Sequence, residues 1–368
     1  MLSSPLAARI ADAIRSAGGF LPFSGFMREA LYAPGLGYYA RAGAGASRLG
    51  RMPRSGSDFV TAPLLSPLFG RAVAGQVAEA LAQSGTATVT EFGAGTGALA
   101  AQVLDACDGT GRIERYAIVE LSASLRSLQR ETLAAHADRV VWLDAWPDRI
   151  EGVVLGNEVL DAMPVDLVQR ATEGWCERGV GLDPDGAGRR FVWRDRASDL
   201  RPPLDPGFPV GATTEIHREA QGFVASLGER LAHGVALFLD YGFPEHEYYH
   251  LDRAAGTLAC HRGHRVDFDP LADVGEKDIT AHVDWTGIAL AAEEVGLAVA
   301  GYTSQGRFLL NAGLGAALDA ASPRERADAL RLVHEHEMGE LFKAMALASP
   351  GLDIALSGFA SGDRTHRL

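Results

Sequence analysis

Glu91-Phe92-Gly93-Ala94-Gly95-Thr96-Gly97, entered from the short run Thr88-Val89-Thr90, is the stretch whose reading decides the fold. An acid followed by glycines at alternate positions marks a strand end where the backbone turns sharply. Glycine suits such a turn because the main chain must approach a bulky ligand and adopt positive φ, which a side chain hinders. Ala98-Leu99-Ala100-Ala101-Gln102-Val103-Leu104 follows, with strong helix formers and an apolar stripe at helical spacing. Strand, glycine turn and helix together predict a nucleotide-binding unit of a doubly wound, mostly parallel α/β sheet.

Gly93, Gly95 and Ala98 also satisfy the dinucleotide fingerprint G-x-G-x-x-A, so the glycines alone leave a nicotinamide cofactor and an oxidoreductase open. Glu91 and Gly97 favour another choice. A carboxylate just before the turn attracts the cationic amino-acid end of S-adenosylmethionine and repels a pyrophosphate. The pattern E-x-G-x-G-x-G resembles class I methyltransferases, which implies a Rossmann-like core with S-adenosylmethionine seated on Glu91, Gly93, Ala94, Gly95 and Gly97. Tyr116-Ala117-Ile118-Val119-Glu120 reads as a second buried strand ending in an acid, making Glu120, with Leu121 beside it, the candidate for the ribose hydroxyls. Val140 to Asp144 and Gly152 to Glu158 give a third and a fourth strand. Ligands bind outside the carboxyl ends of parallel strands, so Asp144 and Ala145 are expected at the adenine end.

Composition narrows the partners. The formal net charge of -13, with 34 Lys and Arg against 47 Asp and Glu, argues against a general nucleic-acid binder and suits a basic protein segment or a small molecule. Cys107, Cys176 and Cys260 are scattered without a C-x-x-C, so neither a disulfide framework nor a cysteine zinc site is expected, and a reducing, cytoplasmic setting fits. His246, His250, His261 and His264 lack cysteine partners and an H-E-x-x-H pattern, so no metal is expected. No run reaches membrane-spanning length, and Leu2 to Gly19, amphipathic but interrupted by Asp12, reads as a first helix rather than a leader.

Five stretches follow along the chain. Residues 1–70 form an N-terminal helical cap with a long loop; Phe23, Phe26, Met27, Leu31 and Tyr32 make an apolar helical face ending at Pro34-Gly35. Residues 71–165 hold the first part of the cofactor core. Residues 166–214 read as an inserted β-hairpin, with Asp183-Pro184-Asp185-Gly186 as its turn. Residues 215–312 complete the core, with a helix from Glu215 to His233, a fifth strand from Val235 to Asp240, an acceptor-side insertion near 243–284, a helix from Trp285 to Val295 and a strand from Leu297 to Tyr302. Residues 313–368 read as mainly helical.

Several separated phrases occur together in one order: Met27-Arg28-Glu29-Ala30-Leu31-Tyr32, Gly37-Tyr38-Tyr39, Ser57-Asp58-Phe59-Val60-Thr61, Asn157-Glu158-Val159-Leu160-Asp161-Ala162-Met163-Pro164-Val165, Asp240-Tyr241-Gly242, Asp278-Ile279-Thr280-Ala281-His282-Val283-Asp284 and Met338-Gly339-Glu340-Leu341-Phe342-Lys343. Over nearly the whole length the chain resembles the MidA-like methyltransferases, the family of a mitochondrial complex I assembly factor that dimethylates an arginine. It departs from them at Ser57, where glycine is common, and at Ala62-Pro63-Leu64-Leu65-Ser66, where the family often has Ser-Pro-Glu-Ile-Ser.

The resemblance implies methyl transfer to an arginine of a protein such as a respiratory complex I subunit. A small-molecule O- or N-methyltransferase and a non-catalytic, cofactor-binding assembly factor are the alternatives. A guanidinium is always protonated and its lone pairs are delocalised, so carboxylates should clamp it and draw charge away from the attacking nitrogen. Glu158 and Asp161 are the expected clamp, with Asn157 hydrogen-bonding cofactor or acceptor. Asp58 is expected to close over the cofactor. Tyr38 and Tyr39 as aromatic walls, with Asp240 and His282, are expected along the acceptor channel.

Overall fold

The computed structural model describes residues 4–40, 61–108, 113–184 and 190–368, which leaves Asp58 outside the described residues. The N-terminal helix Pro5–Ser16 starts where the Ser4 hydroxyl accepts the Ala7 N–H at 3.1 Å, with Pro5 at a position that needs no donor. It packs Leu6, Ile10 and Ile14 with Phe23, Phe26, Met27 and Leu31 of the helix Phe23–Tyr32. The turn at Ala33-Pro34-Gly35 stops this second helix, where the sequence puts its end.

Strands follow in chain order as β1 (Leu21–Pro22), β2 (Thr88–Phe92), β3 (Arg115–Val119), β4 (Val140–Leu143) and β5 (Ile150–Asn157). The helices Pro67–Ser84, Ala98–Cys107 and Ala123–Thr132 alternate with them. Next come β6 (Asp166–Ala171), β7 (Gly174–Leu182), β8 (Phe191–Ala197) and β9 (Thr213–Ile216), then the helix Arg218–Gly228 and the long β10 (Leu231–Phe243). The chain closes through β11 (Ala259–Arg262), β12 (Arg265–Asp267), β13 (Asp278–Thr280), β14 (Val283–Asp284), the helix Trp285–Glu294, β15 (Ala298–Ser304), the helix Pro323–Val333 and β16 (Phe342–Ala348).

The main sheet is eight-stranded, in the order β15-β16-β10-β5-β2-β3-β4, with β14 beside the end of β10. Its pairings are parallel from β10 to β4, so β2, β3, β5 and β10 all point their carboxyl ends at one edge. One face buries the helices Pro67–Ser84, Ala98–Cys107 and Pro323–Val333, and the other buries Arg218–Gly228 and Trp285–Glu294. This is the doubly wound, Rossmann-like arrangement that the glycine unit predicts.

Three expectations change in detail. The hairpin β7–β8 is present, but it belongs to a five-stranded antiparallel sheet with β1, β6 and β9. The helix expected from Glu215 to His233 spans only Arg218–Gly228, because Glu215 lies within β9 as a buried acceptor for the Thr257 and Leu258 N–H groups and β10 already begins at Leu231. The C-terminal segment is not wholly helical: Phe342-Lys343-Ala344-Met345-Ala346-Leu347-Ala348 forms β16, antiparallel to both β10 and β15. Its alanines favour a helix locally, yet six of its seven residues are buried between two strands, and that pairing overrides propensity.

Candidate functional site

The carboxyl ends of β2, β3 and β5 open into a cavity of about 1190 Å³, which also reaches the N-terminal helices and the helix Arg218–Gly228. Gly93 and Gly95 line its floor, while the expected Gly97 lies just behind the lining; their φ of 67°, 53° and 83° fall in the left-handed region that favours glycine. A Cβ on Gly93 would stand 2.6 Å from Val159 Cγ2, so the turn also needs the small residue for its approach to the β5 loop. Gly97 caps the helix Ala98–Cys107, where no side chain takes the first N–H groups, and Gly93, Ala94 and Gly95 line the cavity.

Two acids flank this turn. Glu91 is 2% exposed, and burial pushes its carboxyl up to about 7, partly offset by the hydrogen bond that the Tyr116 hydroxyl donates at 2.8 Å. A cation arriving beside it would draw it back to the ionised form. Glu120, at the end of β3, accepts the Ser122 N–H at 2.7 Å and Gln129 Nε2 at 3.3 Å, and burial raises it as well. The buried Gln129 also donates to the Gly95 carbonyl at 2.9 Å and accepts from Trp142 Nε1 at 2.9 Å, so one side chain ties the glycine turn to the β3 acid. Leu121 stands out from the wall, 77% exposed.

Asp144 and Ala145 do not line the cavity. Asp144 instead pairs outward with Arg126, whose guanidinium also holds the carbonyls of Glu120 and Leu143. The neighbouring Trp146 does line it, in an aromatic group with Phe92 and Phe223 at centroid distances of 4.4 and 4.8 Å.

At the end of β5 the chain enters Asn157-Glu158. Glu158 has φ 53°, an uncommon conformation for a residue with a side chain, held by its N–H donating to Leu239 O at 2.8 Å. Its carboxylate lines the cavity and accepts Asn157 Nδ2 at 3.1 Å. Burial, then the Asp161 charge, pushes it up to about 8. Asp161 lies behind the lining, raised to about 6 by burial; its Oδ2 accepts the Tyr241 hydroxyl at 2.5 Å, while its Oδ1 is buried without a hydrogen-bond partner among the described residues.

Asp240 is not at the cavity surface. Its Oδ2 accepts the N–H groups of Val159, Leu160 and Asp161 at 3.0, 2.9 and 3.3 Å, gripping the loop that carries Glu158. Burial, then Asp161 and Glu158, raises it well above the ordinary carboxylate range. The Tyr32 and Tyr39 rings, 5.6 Å apart and nearly parallel, wall the cavity; Tyr32 donates to Ala162 O and Tyr39 to Asp278 Oδ1, both at 2.8 Å. Tyr38 is buried edge-on behind Tyr39. His282 lies behind Tyr241, edge-on at 5.2 Å, and burial, then Arg253 and Lys343, lowers it to about 4.

Glu91, Gly93, Ala94, Gly95, Glu120, Leu121, Asn157 and Glu158 are thus gathered on one cavity. Gln129, Trp146, Phe223, Arg28 and Glu219 join the site without having been expected. Of these, Trp146, next to the expected Ala145, and Arg28, within the Met27 to Tyr32 phrase, carried a local signal.

A glycine-floored cavity with acids on adjacent strand ends defines a Rossmann-like S-adenosylmethionine-dependent methyltransferase. Residues 72–303 match the family described as "Putative S-adenosyl-L-methionine-dependent methyltransferase", and the chain belongs to that family. It is similar along 99% of its length, with 50% identity and a TM-score of 0.93, to a Burkholderia thailandensis protein solved with S-adenosyl-homocysteine bound, of which it covers 96%. A second Burkholderia thailandensis structure is 48% identical with a TM-score of 0.89 over the same shares. Among curated proteins it is 28% identical to Protein arginine methyltransferase NDUFAF7, mitochondrial, of Danio rerio, over 89% of this chain and 83% of that one. To the Homo sapiens protein of the same name it is 25% identical, over 94% and 83%. The family, the fold and the cofactor that the sequence implies agree with these likenesses.

Proposed function

We propose that this methyltransferase acts on a guanidinium nitrogen of an arginine in a partner protein, with Glu158 as the residue that holds the guanidinium and accepts its proton. The observation that carries the reading is the Glu158 carboxylate itself: aimed into the cavity from a left-handed backbone position, raised to about 8, with Asp161 close behind it. A carboxyl so raised is a poor permanent anion and a good partner for an incoming cation, which restores its charge. The stacked faces of Tyr32 and Tyr39 suit a flat, delocalised cation. The names of the mitochondrial relatives favour a protein arginine acceptor over a small molecule. The MidA-like resemblance points to a respiratory complex I subunit as that protein.

The residues present fit S-adenosylmethionine. Glu91 would take its ammonium, Glu120 its ribose hydroxyls, and the Gly93 to Gly97 backbone would pass beneath it. When bound, the cofactor supplies the methyl carbon as an electrophile. The acceptor nitrogen forms the new bond as the carbon–sulfur electron pair retires to sulfur, and the nitrogen's proton passes to Glu158. Asn157 orients that carboxylate, while Asp240 and Tyr241 fix the loop and Asp161 behind it. In-line displacement depends on alignment more than on acid–base strength, and this division of labour suits it.

Glu158→Gln should bind S-adenosylmethionine within about twofold of the parent and lose roughly a hundredfold or more in turnover. The measurement is transfer of labelled methyl into proteins from cells lacking this gene, with the modified residue read by mass spectrometry. Full activity in Glu158→Gln, or label on a residue other than arginine, would overturn the assignment.

A further inference from the structure

The Met27 to Tyr32 phrase contains two residues that the chemistry above leaves partly unused. Arg28 and Tyr32, one turn apart on the helix Phe23–Tyr32, both line the cavity, and Glu219 and Phe223 line it from the helix Arg218–Gly228. Arg28 Nη2 donates to Glu219 Oε2 at 2.5 Å, closing a bridge between the two helices. Both side chains stay open to solvent, 53% and 42% exposed. The bridge is not what holds these walls together: Asp166 accepts Ser24 Oγ and Arg218 Nε, each at 2.6 Å, and so ties the same two helices independently.

Tyr32 connects the bridge to the interior. Its hydroxyl donates to Ala162 O at 2.8 Å on the loop after β5, inside the same cavity. Glu219 and Glu158 thus line one cavity together with the stacked rings of Tyr32 and Tyr39. The side chain now seated on Glu219 is itself a guanidinium.

We propose that Glu219 is an outer subsite for a second cationic side chain of the acceptor segment, and that Arg28 is its resident competitor in the free protein. The acceptor protein would then carry a basic residue close to its target arginine, and docking would exchange Arg28 for that residue on Glu219. This specificity role rests on the reading of Glu158 as the guanidinium site. Exposed ion pairs are weak and open readily, as such an exchange requires.

The test uses the full chain loaded with S-adenosyl-homocysteine and two capped peptides, Ac-Arg-Arg-Arg-amide and Ac-Gly-Arg-Gly-amide, titrated by calorimetry. The parent should prefer the tri-arginine peptide. Arg28→Ala should bind that peptide roughly threefold tighter, Glu219→Gln should erase the preference, and the double variant should match Glu219→Gln. Equal shifts for both peptides would mark a merely structural effect and overturn the proposal, as would no shift, or no binding of either peptide by the parent. If Glu158→Gln leaves Ac-Gly-Arg-Gly-amide binding intact while Glu219→Gln still erases the preference, the Glu158 reading fails and the outer subsite stands.

Discussion

Gln129 does with one amide what the glycine turn cannot do alone. It holds the Gly95 carbonyl and the Glu120 carboxylate from the same nitrogen, with its oxygen fixed by Trp142. Gln129→Ala should therefore raise the dissociation constant of S-adenosyl-homocysteine roughly tenfold, since three hydrogen bonds, two of them to the glycine turn and Glu120, are lost together. Titration calorimetry checks this; an unchanged constant would show that the turn and Glu120 hold their places unaided. Glu91, Glu120 and Glu158 were legible in the sequence because each ends an apolar run, and a strand end implies a position. Gln129 was not, because its helix position gives no sign that it faces a turn 34 residues away. The pairing of Arg28 with Glu219 is further still from being readable, with its partners 191 positions apart.

Among the elements, the parallel strands and the helices between them were readable because their periodicities and glycine punctuation agree with where they are buried. β16 was not, and the reason is tertiary. Alanine and methionine are good helix formers, and only the unpaired edges of β10 and β15 turn this run into a strand. Its packing should then be worth more than its composition suggests. Met345 is fully buried against Trp285 and Tyr302 within one apolar cluster, so Met345→Ala should destabilise the protein by about 2–5 kcal/mol. Chemical denaturation would record that loss, and at low denaturant the affinity for S-adenosyl-homocysteine should persist, since β16 lies on the far side of β10 and β5 from the glycine turn. The accessory sheet escaped the reading for a related reason: β1 and β9 are short, and each meets its partner, β7 and β6, only across a long stretch of chain.

Taken as a whole, the molecule carries several buried acids whose protons outlast those of the unfolded chain. Glu91 and Asp284 are raised to about 7, Glu158 to about 8 and Asp161 to about 6, each chiefly by burial. Such groups contribute stability that is complete below their unfolded values and is lost as pH rises through their folded ones. His217 and His282, lowered to about 3 and about 4 by burial, act in the opposite direction, but only below their ordinary value near 6.5. Between pH 6.5 and 8 the raised acids therefore dominate, and the ligand-free protein should lose thermal stability as pH rises. Each acid still protonated contributes up to about 1.4 kcal/mol per pH unit. Saturating S-adenosyl-homocysteine should flatten that fall by holding Glu91 ionised with its ammonium. Scanning calorimetry across this window, with and without the ligand, decides it, and a stability that climbs with pH would contradict the protonated acids.

The Asp240 grip on three successive amides has a further meaning for recognition. Because the loop bearing Glu158 is fastened from within, the enzyme need not surrender chain freedom there when an acceptor arrives. The entropic burden of forming the complex falls on the visiting segment instead, and this surface serves as a mould rather than a hand that closes.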